Sequence, residues 1–144
     1  MGKIFGKILI ATDGSGRNRP AVEKGLELAR ACGAAACAVY VIDDTPLTSA
    51  QPEVLTTDVY SALKEEGDRA VEQVKRMAGG LPLETYVLSG RPAQVITGFA
   101  EKNGIDLIVV GSQGKSGLER LLLGSTAESV IRMAGCMVLV VKSG

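Results

Sequence analysis

The residues best suited to chemistry in this chain are glycines and hydroxyls near its C-terminal end. Gly111-Ser112-Gln113-Gly114 is followed, after nine residues, by Gly124-Ser125-Thr126. The segment directly follows Asp106-Leu107-Ile108-Val109-Val110, an apolar run of strand length and strand composition. A buried strand that opens into glycines, with Gly-Ser-Thr at the head of a later helical pattern, is an arrangement that cradles phosphate. Glycine lets backbone approach a ligand closely, and the first N–H groups of a helix have no acceptor inside it. The plainer alternatives are turn and packing glycines beside an empty crevice, with Ser125 or Thr126 serving as a helix cap. A second reactive group, Asp13, stands in Asp13-Gly14-Ser15-Gly16 after the apolar stretch Lys7–Thr12. An Asp-Gly pair is an ordinary turn dipeptide, and its place beside the same crevice makes Asp13 a candidate ligand contact.

Other chemistries are excluded by what is missing. The chain has no histidine, which removes Ser-His-Asp triads, His-based zinc sites and the commonest general base. Cys32, Cys37 and Cys136 lie in apolar stretches without Cys-x-x-Cys spacing and read as small buried residues of a reducing compartment. Lys115-Ser116 after Gly114 does not complete a Walker A motif, because Val109 stands where its first glycine is required. Beyond Asp13 there is no general base and no clamp of cations, so a dedicated catalytic apparatus is not expected, and slow hydrolysis of a bound phosphate ligand stays open.

With 16 basic and 16 acidic residues and only 3% aromatics, neither a basic stripe nor a stacking platform for nucleic acid is expected. No apolar run is long enough to span a bilayer, and no leader pattern stands at the N-terminus. The expectation is a cytoplasmic protein with one domain over residues 1–144.

The elements that must position these residues alternate between short apolar runs and longer amphipathic ones. Strands are expected at Lys7–Thr12, Ala36–Ile42, Glu84–Leu88, Asp106–Val110 and Cys136–Val141. Between them, helical spacing runs from Ala21 to a stop at Gly33, and from Val59 to Gly79-Gly80. Pro92 opens a third helix closed by Asn103-Gly104, and Ser125 or Thr126 caps a last one. A loop from Asp43 to about Thr56 is long enough to act as a lid. Alternation of this kind implies βαβ units and an α/β fold with a mostly parallel sheet covered on both faces. In such sheets ligands bind beyond the carboxyl ends of strands where their order reverses. Asp13 and the glycines share a crevice if their strands are neighbours.

Several segments together resemble the universal stress protein family: Lys7-Ile-Leu-Ile-Ala-Thr-Asp-Gly-Ser15, Tyr40-Val-Ile-Asp43, Gly90-Arg-Pro92 and the stretch Asp106–Arg132. The resemblance covers essentially the whole chain, and Gly-x2-Gly-x9-Gly-[Ser/Thr] is the pattern of its ATP-binding branch. It implies a single-domain, Rossmann-like sheet of five parallel strands in the order 3-2-1-4-5. It also implies bound ATP, with Mg²⁺ or Mn²⁺, and a homodimer through the C-terminal strand Met137–Val141. By the same resemblance Ala11, Thr12 and Val41 line the adenosine pocket and Asp13 meets the ribose or a metal. Gly111, Gly114, Gly124, Ser125 and Thr126 hold the phosphates, and Val110 and Gln113 flank them. Gln113 departs from the pattern, since many relatives carry Arg or His there, and Met137 replaces a frequent Pro. The function implied is a nucleotide-dependent regulatory or stress-response module. A nucleotide-independent dimerisation or interaction module on the same fold is the alternative.

Overall fold

A computed structural model describes residues 4–44, 57–113 and 123–143. Within them the chain alternates strictly: β1 (Lys7–Ala11), α1 (Arg19–Cys32), β2 (Ala35–Asp43), α2 (Thr57–Ala78), β3 (Leu83–Gly90), α3 (Pro92–Lys102), β4 (Leu107–Gly111), α4 (Ser125–Met133) and β5 (Met137–Val141). All neighbouring strands pair in parallel, in the order β3-β2-β1-β4-β5. The sheet order is therefore the expected one, and it reverses between β1 and β4.

Side-chain alternation along each strand divides the core into two layers. Ile8 and Ile10 of β1, Leu107 and Val109 of β4, and Leu139 of β5 pack under α1 and α2, against Val22, Leu26 and Val74. Leu9, Cys37, Val39, Ile108 and Val110 point the other way, onto Ile96 and Ala100 of α3 and Ala127 and Val130 of α4. Further along β2, Tyr40 and Ile42 pack on Ala70 and Val71 of α2. A sheet covered on both faces needs apolar residues at consecutive strand positions, which is why Leu107–Val110 shows no polar alternation. Burial pushes the Cys37 thiol above its ordinary pKa, in keeping with a packing role.

Helix ends follow their punctuation. Gly33 takes the left-handed conformation after α1, Gly79 does the same after α2, and Pro92 stands in the first turn of α3. At the opposite end of the sheet from the candidate site, Asp106 holds β1 beside β4. Its carboxylate accepts the N–H groups of Gly6 at 2.8 Å and Lys7 at 3.2 Å. One expectation is corrected here. Gly124, not Ser125 or Thr126, is the N-cap of α4, and no side-chain bond caps that helix. Ser125 and Thr126 are its first two residues and are exposed. The loop expected from Asp43 to about Thr56 begins later, since Asp43 still belongs to β2, and its residues 45–56 lie outside the described residues, as do Gly114, Lys115, Arg120, Leu121 and Leu122.

Candidate functional site

At the carboxyl ends of β1 and β4 the sheet opens into a cavity of about 330 Å³. Opening at this place follows from topology: crossovers from β1 and β4 leave in opposite directions, and no described residue fills the gap between them. The floor is apolar, formed by Ala11, Val39, Val41, Val110 and Ile96. Thr12, Asp13, Gln113, Ser125 and Thr126 add polar groups around it.

Local bonds hold these groups in place. The Thr12 N–H donates to Val39 O at 2.9 Å, so the chain leaves β1 still tied to β2. The Asp13 carboxylate accepts the Ser15 N–H at 2.8 Å and the Ser15 hydroxyl at 2.6 Å, both on Oδ1. This is the Asx turn that an Asp-Gly-Ser sequence favours, with Gly14 at φ 77°. Both readings of Asp13 thus coexist: Oδ1 builds the turn, and the residue also lines the cavity.

On the opposite side, Ser112 N–H donates to Val141 O at 2.9 Å and Gly124 N–H donates to Ser112 O at 2.7 Å. The start of α4 is thereby docked on the end of β4, with its free N–H groups beside the cavity. In a helix, the N–H groups of Ser125 and Thr126 lack intrahelical acceptors, and the helix dipole adds to their positive character. Gly111 is closely faced by Asn18: a Cβ there would stand 3.1 Å from Asn18 Nδ2, which would have to give way by a few tenths of an ångström. Gln113 is only 8% exposed, an amide enclosed in the site rather than carried on an open loop.

Of the residues expected to bind ligand, Ala11, Thr12, Asp13, Val41, Val110, Gly111, Gln113, Gly124, Ser125 and Thr126 all line this one cavity. Gly114 lies outside the described residues. The sequence reading missed Asn18, Tyr40, Ile42, Asp43, Leu63 and Pro92, which also line it. Tyr40 and Ile42 belong to the α2 face of the sheet, so the cavity curls over the end of β2 toward Leu63. The charged residues lining it, among those described, are Asp13 and Asp43. No group of three metal-ligating side chains occurs among the described residues.

The universal stress protein family model matches residues 5–142, a range that includes every described strand and helix. The chain belongs to the universal stress protein family. It is 45% identical over 141 residues to universal stress protein MJ0531 of Methanocaldococcus jannaschii, covering 96% of this chain and 83% of that one. It is 32% identical to YxiE of Bacillus subtilis, with 96% of this chain and all of the relative covered. Among solved structures, that of the hypothetical protein MJ0577 superposes with a TM-score of 0.80 at 31% identity, covering 98% of both chains. A universal stress protein solved in complex with cAMP superposes with a TM-score of 0.65 at 27% identity, covering 97% of this chain and 98% of that one. The cavity of this universal stress protein is thus set at the switch point of a fold shared over nearly its whole length.

Proposed function

We propose that this universal stress protein binds an adenine nucleotide, ATP with Mg²⁺ or Mn²⁺, in the cavity between β1 and β4, and acts as a nucleotide-responsive regulatory module. One observation carries the reading: the first turn of α4 and the Asp13 turn face the same apolar-floored cavity from opposite sides. The base would lie on Val39, Val41 and Val110. The Ser125 and Thr126 N–H groups would take phosphate oxygens, as helix starts do. Asp13, whose Oδ2 carries neither of the turn bonds, would accept a ribose hydroxyl or approach a metal. The relative solved with cAMP supports an adenine nucleotide as ligand class.

The charge inventory supports a metal partner for ATP. Two carboxylates and no Lys or Arg line the cavity among the described residues, so a triphosphate meets net negative charge there. A divalent cation carried in on the phosphates offsets it. The same inventory argues against rapid turnover, since nothing described in the site would stabilise charge on a transferring phosphoryl group.

The test is to purify the protein without added nucleotide and identify released small molecules by mass spectrometry. Titration calorimetry with ATP, with and without Mg²⁺, follows. A released adenine nucleotide, or Mg²⁺-dependent ATP binding, supports the reading. No bound nucleotide and no heat under either condition would leave the interaction module as the function. That second reading draws on the exposed Ile131, Met133 and Met137 around the edge strand β5.

A further inference from the structure

Asn18 is the N-cap of α1, yet its side chain makes no capping bond to that helix. It is 5% exposed, and its carboxamide turns away from α1 into the gap between β1 and β4. Oδ1 accepts the Asp13 N–H at 3.2 Å. That bond decides which way the amide faces, because an N–H can pair only with the oxygen end. Nδ2 is therefore on the far side, where it donates to Ala11 O at 3.4 Å. From there it also closes on Gly111, whose absent Cβ would lie 3.1 Å away. One amide thus touches the end of β1, the Asp13 turn and the end of β4, at the place where the strand order reverses.

We infer that Asn18 is a ligand-holding residue of this site. An amide nitrogen carries two hydrogens. Ala11 O takes one through a long bond, and the second donates to an oxygen of the ligand's sugar-phosphate. Oδ1 meanwhile holds Asp13 at the cavity mouth. The ordinary reason for Asn at a helix start, capping, is not in use here, so its burial is accounted for by what it does across the switch point. The inference rests on the adenine-nucleotide reading above and names a residue that reading does not need.

The test measures adenine, adenosine, AMP and Mg²⁺-ATP binding to the wild-type protein and to Asn18→Asp. The substitution keeps shape and the acceptor for Asp13 N–H, but replaces the donor with a charged oxygen. Sugar- or phosphate-bearing ligands should weaken by roughly 10- to 100-fold relative to adenine, the range for losing a hydrogen bond and gaining repulsion. Loss beginning with adenosine places the contact on the ribose, and loss beginning with AMP places it on phosphate. Equal loss for all four ligands, or no loss, overturns the inference, and so does a loss confined to AMP and Mg²⁺-ATP in Asn18→Asp that Asn18→Ser does not share, because the new charge alone repels phosphate. If Asn18→Asp does not fold, Asn18→Ser is read in the same way, since its short hydroxyl withdraws the donor without adding charge. Wild-type protein that binds none of the four overturns the nucleotide reading itself, and this inference with it.

Discussion

Gly25 of α1 lies directly on Ile10 of β1: a Cβ at Gly25 would stand 2.6 Å from Ile10 Cγ1 and 2.8 Å from its Cδ1. Ile10 is fully buried and cannot move aside without disturbing Val109 and Leu26. Helix α1 is therefore seated unusually close to the sheet, and the Asp13 turn and Asn18 that precede it are held close to the cavity. Gly25→Ala should destabilise the protein, because overpacking costs about 1–3 kcal/mol and a better helix former returns only about 1 kcal/mol. Gly98→Ala in α3, with nothing within 4 Å of the added carbon, should be neutral or stabilising. Urea denaturation of both variants checks the pair. A Gly25→Ala midpoint equal to that of Gly98→Ala would contradict this packing.

Gly124→Val should abolish ATP binding in a folded protein. Gly124 has φ −61° and ψ 151°, extended backbone open to any residue, and its N–H bond to Ser112 O does not need glycine. The backbone conformation thus does not require glycine here, whereas phosphate would lose its close approach to the start of α4 behind a branched side chain. Calorimetry on folded Gly124→Val showing wild-type ATP affinity would remove the phosphates from this helix end.

Much of this site was legible because its parts are local. Lys7–Ala11 and Leu107–Gly111 are recognisable as strands from apolar content, and Asp13-Gly14-Ser15 and Gly124-Ser125 mark the turns that follow them. Family resemblance supplied the strand order that brings those ends together. Less legible were contributions made across space. Asn18 looks like a routine helix cap, and only the folded chain shows its amide turned toward Ala11 and Gly111. Tyr40 and Ile42 alternate away from Val39 and Val41, so strand periodicity assigns them to the other face, where Leu63 of α2 packs. The cavity reaches them because it opens at the end of the strand, where the distinction between faces lapses. The choice of Gly124 over Ser125 as N-cap shifts the hydroxyls one position into the helix and leaves its cap to backbone alone.

The proposed nucleotide site puts position 113 where phosphate charge would be met. Gln113 is buried and neutral, and the described carboxylates lining the cavity are Asp13 and Asp43. Gln113→Arg should strengthen ATP binding more than AMP binding at low salt, since a guanidinium gains most from the larger phosphate charge. Burying a cation is costly without a partner, so the ligand-free variant should melt earlier than wild type, and ATP should restore more stability than AMP does. Thermal shifts with each nucleotide, at low and high salt, provide the measurement. Equal gains from ATP and AMP would remove this role from position 113.

The last prediction concerns the edge strand β5. Ser112 N–H donates to Val141 O, so Val141 faces β4 in the ladder. In a parallel pair alternate residues bond the same neighbour, which directs the backbone N–H and C=O of Val138 and Val140 outward from the sheet. Met137, at the start of the strand, is 67% exposed, and no proline or charge blunts the strand before Lys142. An apolar edge of this kind is open to pairing, and antiparallel pairing with a second copy would satisfy both edges under two-fold symmetry. Val140→Pro removes one outward N–H without breaking a bond to β4, whereas a lysine at Leu139 would enter the core beneath α1. Analytical ultracentrifugation should find wild-type dimer and Val140→Pro monomer, with ATP affinity kept within a few-fold because the cavity lies beyond the other side of β4. Wild-type protein that is monomeric at high micromolar concentration would end the idea of a dimer. A dimer that persists in folded Val140→Pro would place the interface on a different surface.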